Sequence, residues 1–209
     1  ISAKMLGNYS VAREFLLAHI QPLIMPLLLA EKYNEIEYVT EALQQNTLFY
    51  WKGKMTKRFC EKFANMYSSK YCAASSSGTA AIHVALGACG IGSGDEVITS
   101  PITDMGSVIG ILYQNAVPVF ADLDPNSYNM TAESVEKKIT DKTKMIVPVH
   151  IGGYPVDMDP IMKLAKEHDI IVLEDAAHGF GAVYKGRKVG TIGDFAGFSM
   201  HEVKNITSF

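Results

Sequence analysis

The chain has 209 residues, 48% of them hydrophobic and 20% charged, with a formal net charge of −3. This is globular composition, long enough for one domain with a substantial core, and without a long basic run it does not point to nucleic acid. Cys60, Cys72 and Cys89 are odd in number and lack C-x-x-C spacing, so they read as buried thiols of a reducing cytosol rather than metal ligands or disulfides.

The first apolar stretch, Phe15 to Ala30, is interrupted by His19 and Gln21 and broken by Pro22 and Pro26. A membrane helix needs roughly 20 predominantly apolar residues in a row, and Arg13 and Glu14 with no clear cleavage site fit a signal peptide poorly. The stretch reads as a packed N-terminal arm of a cytoplasmic protein that does not engage a membrane. The chain begins with Ile1 and stops at Phe209, so an incomplete chain is expected. Glu35 to Gln45 places Ile36, Val39 and Leu43 at helical spacing, and Lys57 to Met66 places Phe59, Phe63 and Met66 on one helical face. Residues 1–46 are therefore read as arm and helix, and 47–209 as one large domain.

From Tyr71 a regular alternation begins. Strands are expected at Tyr71 to Ala74, Glu96 to Thr99, Val117 to Phe120, Lys144 to Val149, Ile170 to Leu173 and Ala196 to Ser199. Helices are expected at Ala80 to Cys89, about Gly106 to Gln114, Ala132 to Ile139 and Met158 to His168. Strands rich in Val and Ile, apolar on both sides and separated by helices, belong to a sheet covered on both faces. The expected class is α/β, with a mainly parallel sheet. Ligands of such sheets sit where strands end and loops enter helices.

Three constellations lie at such places. Ser75-Ser-Ser-Gly78-Thr79-Ala80 joins a strand to a helix. It is either a plain helix cap or a phosphate cradle, since free N–H groups at a helix start attract anions. Glu174-Asp175-Ala-Ala-His178 follows the strongest strand. Its carboxylates could bind Mg²⁺, cap a helix, do nothing, or keep a pyridine nitrogen protonated so that the ring acts as an electron sink, and a His there is more often structural than catalytic. Ser199 and Lys204 form the third. A lysine near a chain end is ordinarily a solvated charge, yet lysine is also an imine-forming nucleophile. Phosphate anchor, pyridinium partner and imine lysine are the three functions that pyridoxal 5′-phosphate (PLP) requires.

The segments SSGTAAIHVAL, GIGSGDEVIT, PVFADLDPNSYN and DMDPIMKLAKEHDIIVLEDAAHGFGAVYKGRKVGTIGDFAGFSMHEVKNIT together resemble the DegT/DnrJ/EryC1/StrS family of PLP-dependent sugar aminotransferases, from about Leu48 to Phe209. The tail FSMHEVKNIT is similar to that of UDP-4-amino-4-deoxy-L-arabinose aminotransferase and related nucleotide-sugar enzymes. The resemblance implies the large PLP-binding domain of a fold type I aminotransferase, without its small C-terminal domain. It implies that Gly78, Thr79 and Ala80 hold the cofactor phosphate with Ser199, that Asp175 pairs with the pyridine nitrogen, and that His178 lies beside the phenolic oxygen. Lys204 becomes the lysine that carries PLP; the family's dehydratase branch has histidine there.

The implied activity is transfer of an amino group from an amino acid, glutamate in most of the family, to a keto-sugar nucleotide, by a homodimer. One position departs from the family pattern. Asp104, in Ser100-Pro-Ile-Thr-Asp-Met-Gly-Ser107, stands where an aromatic ring usually stacks on PLP. The alternatives are a degenerate or regulatory PLP-fold protein, a PLP-dependent deoxysugar dehydratase, and a Rossmann-type enzyme. The last is opposed by the lack of G-x-G-x-x-G after the first strand, since Gly90 to Gly94 follows a helix and reads as a turn.

Overall fold

The computed structural model describes residues 35–45, 49–50 and 52–206. The arm expected at Phe15 to Ala30 lies outside the described residues. The chain divides into two compact units between Arg58 and Phe59. In the first, α1 (Glu35–Gln44) forms where the helical spacing expects it. Its Glu41 takes two hydrogen bonds from Arg58, at 3.1 and 3.2 Å. A further helix, α2 (Lys54–Tyr67), follows and ends in the second unit.

The second unit carries the sheet. In chain order its elements are α3 (Gly78–Ala88), β1 (Glu96–Thr99), α4 (Met105–Tyr113), β2 (Val117–Phe120), α5 (Ala132–Glu136), β3 (Thr143–Val147), α6 (Met158–Glu167), β4 (Ile171–Asp175), β5 (Val183–Tyr184), β6 (Arg187–Lys188) and β7 (Phe195–Gly197). Five strands form one parallel sheet in the order β2-β1-β3-β4-β7, and β5 and β6 make a small antiparallel hairpin. Pro118 lies in β2, an edge strand, where a missing N–H is tolerated.

Side-chain alternation divides the inner strands between two cores. Val97, Met145, Val147 and Leu173 face α3 and α4, packing with Ile82, Leu86 and Ile111. Ile98, Ile146 and Val172 face the other way, onto Met158, Ile161 and Leu164 of α6. Leu86, Ile98, Ile111 and Met145 are fully buried, each such side chain contributing about 1.5–3 kcal/mol relative to exposure. The same alternation sorts the last two residues of β4. Asp175 shares the face of Leu173, toward α3 and α4. Glu174 shares the face of Val172.

Several element readings change: β4 runs on to Asp175, α5 stops at Glu136 rather than Ile139, and the β5–β6 hairpin is new. Tyr71 to Ala74 is not a strand, because a strand exists by its ladder and no described residue pairs with it. The last strand is Phe195–Gly197, which leaves Ser199 in the loop beyond it.

Candidate active site

The predicted residues gather at the carboxyl end of the sheet. Helix α3 starts at Gly78, two residues earlier than its apolar pattern suggests, because Ser77 caps it: the Ser77 hydroxyl accepts the Ala80 N–H at 3.0 Å. The Ala80 amide is thereby engaged within the chain. Among the described residues, the Gly78 and Thr79 amides have no hydrogen-bond partner, so they are the donors left for an anion. Gly78 lies against Ser199. A Cβ at Gly78 would come within 2.8 Å of the Ser199 Cβ, so glycine is what lets the helix start and the Ser199 hydroxyl approach one another.

Asp175 closes β4 and is buried. Its Oδ2 accepts the Ser107 hydroxyl at 2.5 Å and its Oδ1 the Ala177 N–H at 3.1 Å. Its backbone is held as well: its N–H donates to Pro148 at 2.9 Å and its carbonyl accepts from His150 at 3.1 Å. Ser107 comes from the first turn of α4, which Asp104 caps by accepting the Gly106 N–H at 2.8 Å. Gly106 lies against both Thr79 and Asp104; a Cβ there would meet the Thr79 Oγ1 at 2.7 Å and the Asp104 Oδ1 at 3.0 Å. The start of α4 thus joins the helix cradle to Asp175. Position 104 serves as a helix cap, and the neighbouring Met105 is 60% exposed.

His178 and Lys204 line one small cavity of about 200 Å³ with Gly152, Val203 and Asn205. The His178 Nδ1 accepts the Gly152 N–H at 3.2 Å, so the proton of the neutral ring sits on Nε2, which is then a donor. Lys204 stands on a short turn in which its own N–H donates to the His201 carbonyl at 2.9 Å. Asp175 and Ser199 do not line this cavity. A larger groove of about 750 Å³ contains Asp124, Asn129, Tyr154 and Lys185 and none of the predicted residues; chemistry, not size, selects the site.

Glu174 has a different task from its neighbour. It is fully buried on the α6 face, where Oε1 accepts the amides of Ile192 and Gly193 and Oε2 accepts Gly190 and the His150 Nε2, at 2.6 to 3.0 Å. The Val156 N–H donates to the His150 Nδ1 at 3.1 Å, so the His150 proton is on Nε2, facing Glu174. Burial pushes the Glu174 carboxyl up, but the bonds from His150, Gly193, Gly190 and Ile192 outweigh it and hold the group below its ordinary value. Every Glu174 oxygen is used internally, and among the described residues no cluster could hold a metal ion. Sequence reading missed Ser107, Thr103, His150 and Gly152. Only Ser107 and Thr103 leave a trace, as two hydroxyls four residues apart at a helix start.

Residues 30–209 match the DegT/DnrJ/EryC1/StrS aminotransferase family. The chain belongs to that family. It is 43% identical over 190 residues to the spore coat polysaccharide biosynthesis protein SpsC of Bacillus subtilis, covering 91% of this chain and 48% of the relative. It is 44% identical over 175 residues to GDP-perosamine synthase of Escherichia coli O157:H7, covering 84% and 48%. The X-ray structure of the aminotransferase from Psychrobacter cryohalolentis superposes with a TM-score of 0.80 at 44% identity, over 84% of this chain and 45% of that one. NtdA from Bacillus subtilis, with the bound cofactor PMP, superposes at 0.75 and 29% identity, over 83% and 39%.

The chain thus spans under half the length of the curated relatives it matches. PLP, of which PMP is the aminated form, is the cofactor of the DegT/DnrJ/EryC1/StrS aminotransferases. The residues here fit it: two amides without a partner among the described residues, a hydroxyl across a glycine, a carboxylate with acceptor capacity left, an imidazole donor and an amine. No helix among the described residues is long and apolar enough to cross a membrane.

Proposed function

We propose that the protein is a PLP-dependent aminotransferase that moves an amino group from an amino acid, glutamate, to a keto-sugar nucleotide in cell-surface polysaccharide or amino-sugar biosynthesis. The observation that carries this reading is the meeting of Lys204 and His178 in one cavity. Residues 47–209 serve as the incomplete PLP-binding large domain of a homodimer.

PLP, when bound, supplies the electron sink that stabilises negative charge at the carbon losing its proton. The chain's residues do the rest. The Gly78 and Thr79 amides and the Ser199 hydroxyl bind the phosphate, with Ala80 completing the turn. Asp175 would accept a hydrogen bond from the ring nitrogen and keep it protonated. The His178 Nε2 would donate to the ring oxygen. The Lys204 Nζ would hold the cofactor covalently and, when free, would take a proton from the donor's carbon and return it.

Borohydride reduction of the PLP-loaded protein followed by peptide mass analysis tests the assignment. The cofactor mass is expected on Lys204; a label on a different lysine, or none, would sink the reading. Lys204→Ala should abolish both the label and the half-reaction with the amino donor. Asp104 favours a second reading, a PLP-fold protein without transaminase activity, since a capping carboxylate stands where the family pattern has a ring. A protein that labels at Lys204 yet turns over no donor would select it. Lys204 opposes the dehydratase reading, and product analysis distinguishes that outcome.

A further inference from the structure

Ser107 is a buried hydroxyl on an otherwise apolar helix, 1% exposed. A helical serine usually bonds back to the carbonyl one turn earlier. Ser107 instead reaches a carboxylate 68 positions along the chain, Asp175, at 2.5 Å. Its oxygen also lies 2.6 Å from the Thr103 Oγ1. Each hydroxyl has one proton, and a carboxylate only accepts. The Ser107 proton therefore goes to Asp175, and the Thr103 proton goes to Ser107. The chain of donors has one direction, Thr103 to Ser107 to Asp175, and its short separations are those of charge-assisted bonds. With Ala177 on the other oxygen at 3.1 Å, the carboxylate plane is fixed from both sides.

We propose that Ser107 and Thr103 are positioning residues for Asp175, and that their hydroxyl chain sets how much negative charge Asp175 presents to the cofactor's ring nitrogen. This rests on the PLP reading above. A hydrogen-bond donor draws charge away from the face of a carboxylate that meets the ring. Without it, the site becomes more negative, and protons on the bound cofactor are held more tightly. The ionisable groups on the elements that meet here are Asp104 at the cap of α4 and Tyr113 at its end, His83 on α3 beside Tyr113, His178 and Lys204 on the loops, and Glu174 with His150 on the opposite face of β4. None of these lies between Ser107 and Asp175.

The test uses the PLP-loaded protein and the absorbance of cofactor bound at Lys204, titrated against pH. Ser107→Ala is expected to raise the midpoint of that titration by about half a pH unit or more, and Thr103→Val to raise it by less. Ser107→Thr, which keeps the hydroxyl, is expected to restore it. In turnover, kcat should fall about tenfold in Ser107→Ala while KM stays within about twofold, since the residue touches no substrate. A midpoint unchanged in both Ser107→Ala and Thr103→Val, whatever their thermal stability, would reduce the hydroxyl chain to packing and overturn the proposal alone. Should Ser107→Ala fail to fold, Thr103→Val and Ser107→Thr still decide. A wild-type protein with no cofactor absorbance at Lys204 would overturn the PLP reading and this proposal together.

Discussion

Glu174 and Asp175 are adjacent carboxylates that period-two geometry sends to opposite faces of β4, one into a cage of amides and the other toward α4. Sequence reading found the pair but could not sort it, because the amides of Gly190, Ile192 and Gly193 reach Glu174 only through folding. Glu174→Gln turns an NH₂ toward backbone donors and should cost roughly 3 kcal/mol of stability, read from denaturant midpoints. The folded Glu174 carboxyl lies below its ordinary value, so its contribution is fully present above the unfolded value and is lost as pH falls through the folded one. The gap between wild type and Glu174→Gln should therefore be widest near neutral pH and shrink in acid; a gap that grew in acid would contradict the cage. Asp175→Asn should leave the fold intact and reduce turnover by roughly 100-fold. Unchanged turnover would remove Asp175 from the chemistry.

Helix α3 shows what an element needs beyond its apolar pattern. Ile82 and Leu86 at i and i+4 announce the helix and its buried face, but its start depends on Ser77, one of three consecutive serines with equal claims on the cap. Ser77→Ala should cost about 1 kcal/mol, measurable by thermal melts. Gly78→Ala should act differently: a methyl group 2.8 Å from the Ser199 Cβ must push the loop aside. PLP affinity, followed by fluorescence titration, should fall more than stability does. The inner strands were legible from their Val and Ile runs. Tyr71 to Ala74, a short apolar run without Val or Ile, forms none, because composition carries no information about which partner completes a ladder.

At the scale of the molecule, the five-stranded sheet has two edges, β2 and β7, that no strand among the described residues pairs. β2 exposes Val117 and Phe120, 48% and 43% accessible, and β7 exposes Phe195 at 44%. Unpaired edges with apolar side chains promote association. The 209-residue chain purified alone is expected to self-associate in light scattering; a monodisperse, stable monomer would contradict this.

What the amino-acid order determined by itself was local: most of the runs that become strands, which faces of helices are apolar, that Gly78 and Thr79 fall near a helix start, and that Asp175, His178, Ser199 and Lys204 fall at or beyond strand ends. These depend on side-chain type and short periods, which a linear chain displays. Only the tertiary structure decided the pairings: Ser107 with Asp175, His150 with Glu174, Gly152 with His178, and Gly78 against Ser199. A hydrogen bond is set by distances of about 3 Å between atoms brought close by packing, and separation along the chain does not specify it.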